Sequence, residues 1–480
     1  MKEIINGLPN ICGHEEEIDH ATGKSEPVFL QATDISLDKV NSAFGIALHM
    51  HQPTIPAGGD DLATAGLTGH LDYMMQHPDI GDNHNAPVFA WCYSRMGDFI
   101  PELVEKGKRP RVMLDYSGNL LWGLRQMERG DILDNLKKIT CDPYYNRHVE
   151  WLGTMWSHAV VASTPVPDII LHIKAWQHNF ASIFGLEALS RVKGFSPPEM
   201  NLPNHPDVCY EYVKALKECG YKWILIQEHS VENLNGDGLS RQHLPHKLIA
   251  RNSKGEEVSI TALIKTQGSD TKLVAQMQPY YEALSLHSMT LQERRIPPYV
   301  LQIGDGENGG VMMNEFPDGY KNAFYQIGKE GTVALNGTEF LELIESAGFS
   351  EEDYIPIYPW GQHRIWDKVT TFSEGVVEKA IKEAETADDR FHMEGGSWTN
   401  NLSWVRGYEN VLDPINKLSA LFHEKLDNRD VDKNSHNYRN ALLYLLLSQT
   451  SCFRYWGQGI WTDYAREICR RGVDVLERDF

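Results

Sequence analysis

The chain has 480 residues, 41% of them hydrophobic and 23% charged, an ordinary globular composition but too long for one small domain. Its 45 Lys and Arg against 66 Asp and Glu leave a formal charge of −21, which excludes nucleic acid and anionic membranes as natural partners. No apolar run approaches the ~20 residues of a membrane helix, and seven scattered cysteines with no CxxC pair argue against a disulfide framework or structural zinc and for a reducing compartment.

Residues 1–40 are polar and irregular and read as an N-terminal extension. The opening "MKEIINGLPNICGHEEEIDH" has no apolar core of a secretion signal, so a cytoplasmic location is expected. From residue 41 onward, short apolar runs alternate with helical patterns. "AFGIALHM" (43–50), "RVMLDYS" (111–117), "HVEWLGTMW" (148–156), "YKWILIQEH" (221–229) and "PYVLQIGDGEN" (298–308) read as buried strands. "MGDFIPELVEK" (96–106), "NLLWGLRQMERG" (119–130), "PDVCYEYVKALKECG" (206–220) and "TEFLELIESAG" (338–348) read as helices, several stopped by glycine. Near-continuous apolar strands alternating with helices imply a parallel sheet, open and covered on both sides or closed into a barrel. After about residue 365 the runs 373–386, 414–429, 438–449 and 463–479 are all helical in pattern. They predict a C-terminal helical subdomain over 366–480.

In such folds the active site lies at the C-terminal ends of the strands. Polar residues there become candidates. His49 and His51 end the first strand in "HMHQP". At spacing i, i+2 they share one face. They fit a metal pair, a hydrogen-bonding pair for sugar hydroxyls, or buried structural histidines. Glu199 sits in "GFSPPEMNLP", where two prolines leave no regular ladder. A carboxylate held stiffly before a helix suits a nucleophile. Asp305 and Glu307 end the strand "LQIGDGENGG", again at i, i+2. Asp115, Glu150, Glu228 and His229 are lesser candidates at strand ends. Two separated acid sites equip a molecule for glycoside cleavage, in which one carboxylate attacks or activates water and the other protonates the leaving oxygen. Twelve Trp and twenty Tyr supply faces on which sugars stack. Trp360, Trp366, Trp398 and Trp456 are candidate platforms.

These segments together resemble glycoside hydrolase family 57. "HMHQP" matches its first region, HxHQP. "VEWLGTMWSHAVVASTPVPD" (149–168) resembles its second region, "GFSPPEM" its third, and "GDGENGG" its fourth. "GGSWTNNLSWVRGYENVLDPINKLSALF" (395–422) and "LLSQTSCFRYWGQGIWTDYAREICRR" (446–471) are similar to segments of its 4-α-glucanotransferase-like members. The resemblance runs from about residue 43 to the C-terminal helices. Ser196 stands where an aromatic is usual, "TSC" replaces an Asn-Asp pair, with Cys452 at a polar position, and Gly457 replaces a histidine.

The resemblance implies a distorted, TIM-like (β/α)7 catalytic barrel over 41–365, followed by the helical subdomain over 366–480. It implies a retaining α-amylase or 4-α-glucanotransferase chemistry on α-1,4-linked glucans, with no metal and no cofactor. Glu199 falls on the nucleophile and Asp305 on the general acid/base. His49, His51, Glu150 and His158 fall on substrate-binding or site-supporting positions, and Glu307 becomes the neighbour that keeps Asp305 protonated. In that setting the HMH pair reads as neutral donors and acceptors for a glucose unit. The expected partner is an oligo- or polysaccharide. Two alternatives stand beside this reading: a metal-dependent barrel hydrolase or deacetylase using His49 and His51 as ligands, and a glucan-binding homologue without catalysis.

Overall fold

Val40–Met50 (β1) shows why the apolar strands close on themselves. All but one of its eleven residues are buried, so it has neither a wet face nor a free edge. In the computed structural model, which describes residues 1–57, 61–266, 272–307, 315–395, 407–455 and 458–480, β1 lies between Val112–Tyr116 (β2) and a last strand, Tyr299–Asp305. The circuit continues through Val149–Gly153 (β3), Gly194–Phe195 (β4), Trp223–Gln227 (β5), Glu257–Lys265 (β6) and Tyr299–Asp305 (β7). Every neighbouring pair is parallel, and β7 returns to β1. This is a closed seven-stranded parallel barrel surrounded by helices, as the family resemblance implies. Outside the circuit, β6 carries an antiparallel strand, His246–Arg251, which extends through Ile355–Pro359 to Val231–Asn233.

The alternation of side chains divides the core in two. Ala43, Ala47, Met113, Leu152, Leu225, Leu263, Leu301 and Ile303 fill the barrel interior. Phe44, Ile46, Leu48, Leu114, Ile224, Ile226 and Val300 face outward into the larger core. That outer core includes Val166–Phe184 (α1), whose Ile169, Ile173, Trp176 and Phe180 are buried. Gly337–Ser346 (α2) joins the interior core through Phe340, Leu341, Leu343 and Ile344. Asn336 and Glu339 form a capping box at its N-terminus, and Glu339 also grips the buried Arg111 at 2.6 and 2.8 Å. Arg111 directly precedes β2, so α2 closes the N-terminal end of the barrel and leaves the other end for chemistry.

The C-terminal residues fold into helices, as their pattern predicts. Glu409–Leu426 (α3), His436–Ser448 (α4) and Ile460–Asp479 (α5) pack on one another, and α4 reaches α1. Beyond α4, Thr450 forms a single antiparallel bridge with Ala159, which lays residues 449–454 against the barrel mouth. The N-terminal extension is tied down: the Glu342 carboxylate of α2 accepts the N–H groups of Val28, Phe29 and Leu30 at 2.5–2.9 Å.

Candidate active site

β1 and β2 pair in register, with His49 opposite Asp115. Both point to the mouth, where His49 Nδ1 lies 2.9 Å from Asp115 Oδ2. Burial pulls the His49 pKa down, but the charge and hydrogen bond of Asp115, with Asp305 and Glu307 behind it, lift it to about 9. His49 is therefore a cation at neutral pH. His51 is its opposite. Its Nδ1 meets Ser117 Oγ at 2.7 Å, and burial together with the neighbouring His49 charge drives its pKa well below the usual value. The HMH motif is one charged and one neutral imidazole, which corrects the expectation of a neutral pair. The difference comes from Asp115.

His158 completes this cluster. Its ring stacks on those of His49 and His51 at 4.6 and 4.2 Å. It holds a left-handed backbone, φ 60°, and burial keeps it neutral. Its Nδ1 meets Ser451 Oγ at 2.8 Å and stands 3.8 Å from Glu199 Oε1. Ring faces packed together aim their in-plane lone pairs side by side, not at one ion. All three Nδ1 atoms already have partners. Among the described residues no group of three or more His, Cys, Asp or Glu is placed to hold a metal. The arrangement does not fit the metal-ligand reading of His49 and His51.

Glu199 reaches this cluster because its backbone is forced back. β4 is two residues long, and Ser196 N extends it by donating to Gly153 O at 2.8 Å. Pro197 and Pro198 then prevent further pairing. Glu199 has φ 57°, ψ 18° and Met200 φ 52°, each costing about 1–2 kcal/mol in a residue with a Cβ. Strain of this kind concentrates at functional sites.

The acid pair comes from β7. Asp305 sits in register with His49, and Gly306 N donates to His49 O at 2.8 Å. A Cβ at Gly306 would lie 2.0 Å from Met50 Cε, so a larger residue between the two acids would have to displace the Met50 side chain. Arg95, fully buried between the rings of Trp91 and Phe316, donates from Nη2 to Gly306 O at 2.7 Å. Burial and the adjacent Asp305 charge raise the Glu307 pKa to about 8. Glu307 Oε2 is shut from solvent without a hydrogen-bond partner among the described residues.

The structure thus brings together His49, His51, His158, Glu199, Asp305 and Glu307. Glu228 and His229 form the half-buried turn after β5, at the same end of the barrel. Glu150 is not part of the cluster. It pairs with Met113, two residues below the His49–Asp115 level, and accepts hydrogen bonds from Thr338 N, at 3.0 Å, and Thr338 Oγ1. Burial raises its pKa to about 8. Period-2 alternation places Glu150 inside the barrel but cannot give its depth. Trp360 packs on Phe391 and His392 in a small cluster with Ile365 and Val377. Trp366 lies under the Arg251 guanidinium at 5.2 Å. Trp398 and Trp456 lie outside the described residues.

Three contributors escape strand-based reasoning because they come from the helical region. Ser451 bonds His158 through its side chain and donates its N–H to His158 O at 3.2 Å. Thr450 Oγ1 lies 3.5 Å from His51 Nε2. Arg454 is buried on the short helix Cys452–Tyr455. The sequence signal for Thr450 and Ser451 is the "TSC" departure, and Arg454 lies outside it.

No family model matches the chain, and no curated protein does. Among solved structures it is similar to the 4-α-glucanotransferase of Thermococcus litoralis, at 17% identity over 92% of this chain and 60% of that one, with a TM-score of 0.55. The chain therefore spans about three fifths of that protein's length. Weaker likenesses are to the α-amylase AmyC of Thermotoga maritima, at 10% identity, 91% and 93% coverage and TM-score 0.49, and to a GH57-type branching enzyme of Pyrococcus horikoshii, at 12%, 90% and 88%, and 0.47. The first of these establishes a shared fold.

Proposed function

We propose that this protein is a retaining glycoside hydrolase or transglycosylase of the family 57 type, acting on α-1,4-linked glucans. One observation carries the reading. Glu199 and the Asp305–Glu307 pair, from different strand ends, are joined across the barrel mouth by stacked imidazoles: His158 stands 3.8 Å from Glu199, and its ring lies 4.6 Å from His49, which feels the charge of both acids. Orphaned buried polar atoms gather in the same place, among them Asp115 Oδ1, His158 Nε2, Ser196 Oγ and Glu307 Oε2. Such groups are costly in a folded protein unless a ligand satisfies them. Sugar hydroxyls both donate and accept and suit that role. The similarity to a glucanotransferase fold supports the substrate class.

In the mechanism, a Glu199 carboxylate oxygen attacks the anomeric carbon. The glycosidic C–O bond breaks, and Asp305 gives its proton to the departing sugar oxygen. A covalent glycosyl-Glu199 ester results. Asp305, now a carboxylate, takes a proton from water or from an acceptor sugar hydroxyl, whose oxygen attacks the anomeric carbon and releases Glu199. Glu307 keeps the pair's one proton available by making double ionisation costly. His49, as a cation, balances the carboxylates. Two displacements at one carbon restore its configuration.

The test is product analysis by proton NMR on maltoheptaose, with Glu199→Gln as control. An α-configured first product, lost in the variant, is expected. A β-configured product, or unchanged turnover by Glu199→Gln on an activated α-glucoside, overturns the assignment. Binding of malto-oligosaccharides with no cleavage by the wild type selects the non-catalytic glucan-binding reading.

A further inference from the structure

The short helix Cys452–Tyr455 carries a buried cation, Arg454, that interacts electrostatically with Glu199. Arg454 is 2% exposed and belongs to the short helix that begins directly after Ser451, the residue hydrogen-bonded to His158. Glu199 and Cys452 lie within its electrostatic reach. Among the described residues no carboxylate forms an ion pair with it, and its Nε and Nη2 are both buried without an acceptor. These two nitrogens occupy one edge of the guanidinium, the edge whose parallel N–H bonds match a carboxylate, phosphate or sulfate oxygen pair. Leaving both donors unmet inside the protein is costly. If Arg454 served only to balance Glu199, direct pairing of that edge with the carboxylate would be expected. The pairing is absent.

We infer that Arg454 is a specificity-determining residue whose Nε–Nη2 edge receives an anionic substituent, a carboxylate or a phosphate or sulfate ester, on the sugar bound next to Glu199. This rests on the proposed site and narrows its substrates to α-glucosides or glucans that carry an acidic group. The surrounding protein is strongly acidic, with a formal charge of −21, and would otherwise reject such a substrate. A fixed, desolvated guanidinium is the device that overcomes this rejection locally. Ser196 Oγ, three residues before Glu199 and also unpartnered, provides a neutral donor for the same region.

The test is calorimetric binding of glucose, glucuronate, glucose 6-phosphate and glucose 6-sulfate to the full chain and to Arg454→Met and Arg454→Lys. At least one acid is expected to bind the wild type about 10- to 100-fold more tightly than glucose, the worth of a bidentate charged hydrogen bond. Which acid shows the preference identifies the substituent. The preference is expected to vanish in Arg454→Met and to fall partway in Arg454→Lys, which keeps the charge but loses the fork. Equal affinity for glucose and all three acids, or a preference that survives loss of the fork in both variants, overturns the inference. If Arg454→Met does not fold, the lysine variant alone decides. Binding is read independently of turnover, so unchanged activity in Glu199→Gln would end the catalytic assignment and leave the Arg454 result standing.

Discussion

His158 Nδ1 stands 3.8 Å from Glu199 Oε1 and 2.8 Å from Ser451 Oγ. One neutral imidazole thus ties the proposed nucleophile, on a strained barrel turn, to the helical region that follows. Removing the nucleophile in Glu199→Gln is expected to cut kcat by about 10³-fold or more. His158→Ala leaves the carboxylate in place but removes this contact, and a loss of about 10- to 100-fold is expected. Ser451→Ala is expected to cost less than His158→Ala, in the same direction. Steady-state kinetics on an activated α-glucoside check all three. A His158→Ala variant with wild-type kcat/KM would show that the contact is structural.

In the proposed mechanism the Asp305–Glu307 pair is expected to set the alkaline limit of activity. Burial and mutual repulsion raise the Glu307 pKa to about 8, so below that value the pair retains one proton for the leaving group. Activity is expected to fall about tenfold per pH unit above it. Glu307→Gln removes the group whose raised pKa sets that limit, and the alkaline limb is expected to shift. A profile of kcat/KM from pH 4 to 10 for both proteins is the measurement. An unmoved limb would separate Glu307 from the acid.

His49 and Asp115 make a pH-dependent contribution to stability. The folded pKa of His49, about 9, lies above the ordinary 6.5. The stabilisation is therefore complete below pH 6.5 and disappears as pH rises through 9. Asp115→Asn breaks a buried pair and is expected to cost about 3–5 kcal/mol near pH 6. The gap to wild type should narrow steadily toward pH 9. Urea denaturation at several pH values reads both the size and the slope. A constant gap would mean that His49 is not charged.

The readable parts of the sequence share one property: local spacing alone determines their face. β1, β2, β5 and β7 are largely apolar and almost wholly buried because the barrel interior and the helical shell cover both sides. The HMH and Asp305–Gly306–Glu307 segments mark where β1 and β7 end, with His51 and Glu307 lying just past the strands. What sequence reasoning missed depends on distance through space. β4 is hidden because the prolines that disqualify a ladder begin two residues after it. β6 opens with exposed and half-buried residues where it extends beyond the barrel toward its antiparallel partner. α1 carries buried His172, Gln177, His178 and Asn179 along with its apolar residues, so no polar stripe marks it as a helix. Arg454 carries no local sign of burial, since charged residues are usually exposed.

Glu150 is where motif and geometry part, and it can be tested separately. The motif assigns it to the site, but its carboxyl is held by Thr338 at the start of α2, two residues below the level of His49 and Asp115. At its own level of the barrel it is flanked by Met113, Ala47 and Ile303. Burial raises its pKa to about 8 from 4.5, so the folded protein holds a proton that the unfolded chain has released. The resulting stabilisation is present below pH 4.5 and is lost as pH rises through 8, at up to about 1.4 kcal/mol per pH unit. Glu150→Gln keeps the shape and removes the proton. Its stability relative to wild type is expected to rise between pH 5 and 8, while kcat stays within about twofold. Thermal melts across that range, paired with kinetics on one α-glucoside, separate the two roles. A tenfold or greater loss of kcat with no change in the pH slope would return Glu150 to the active site.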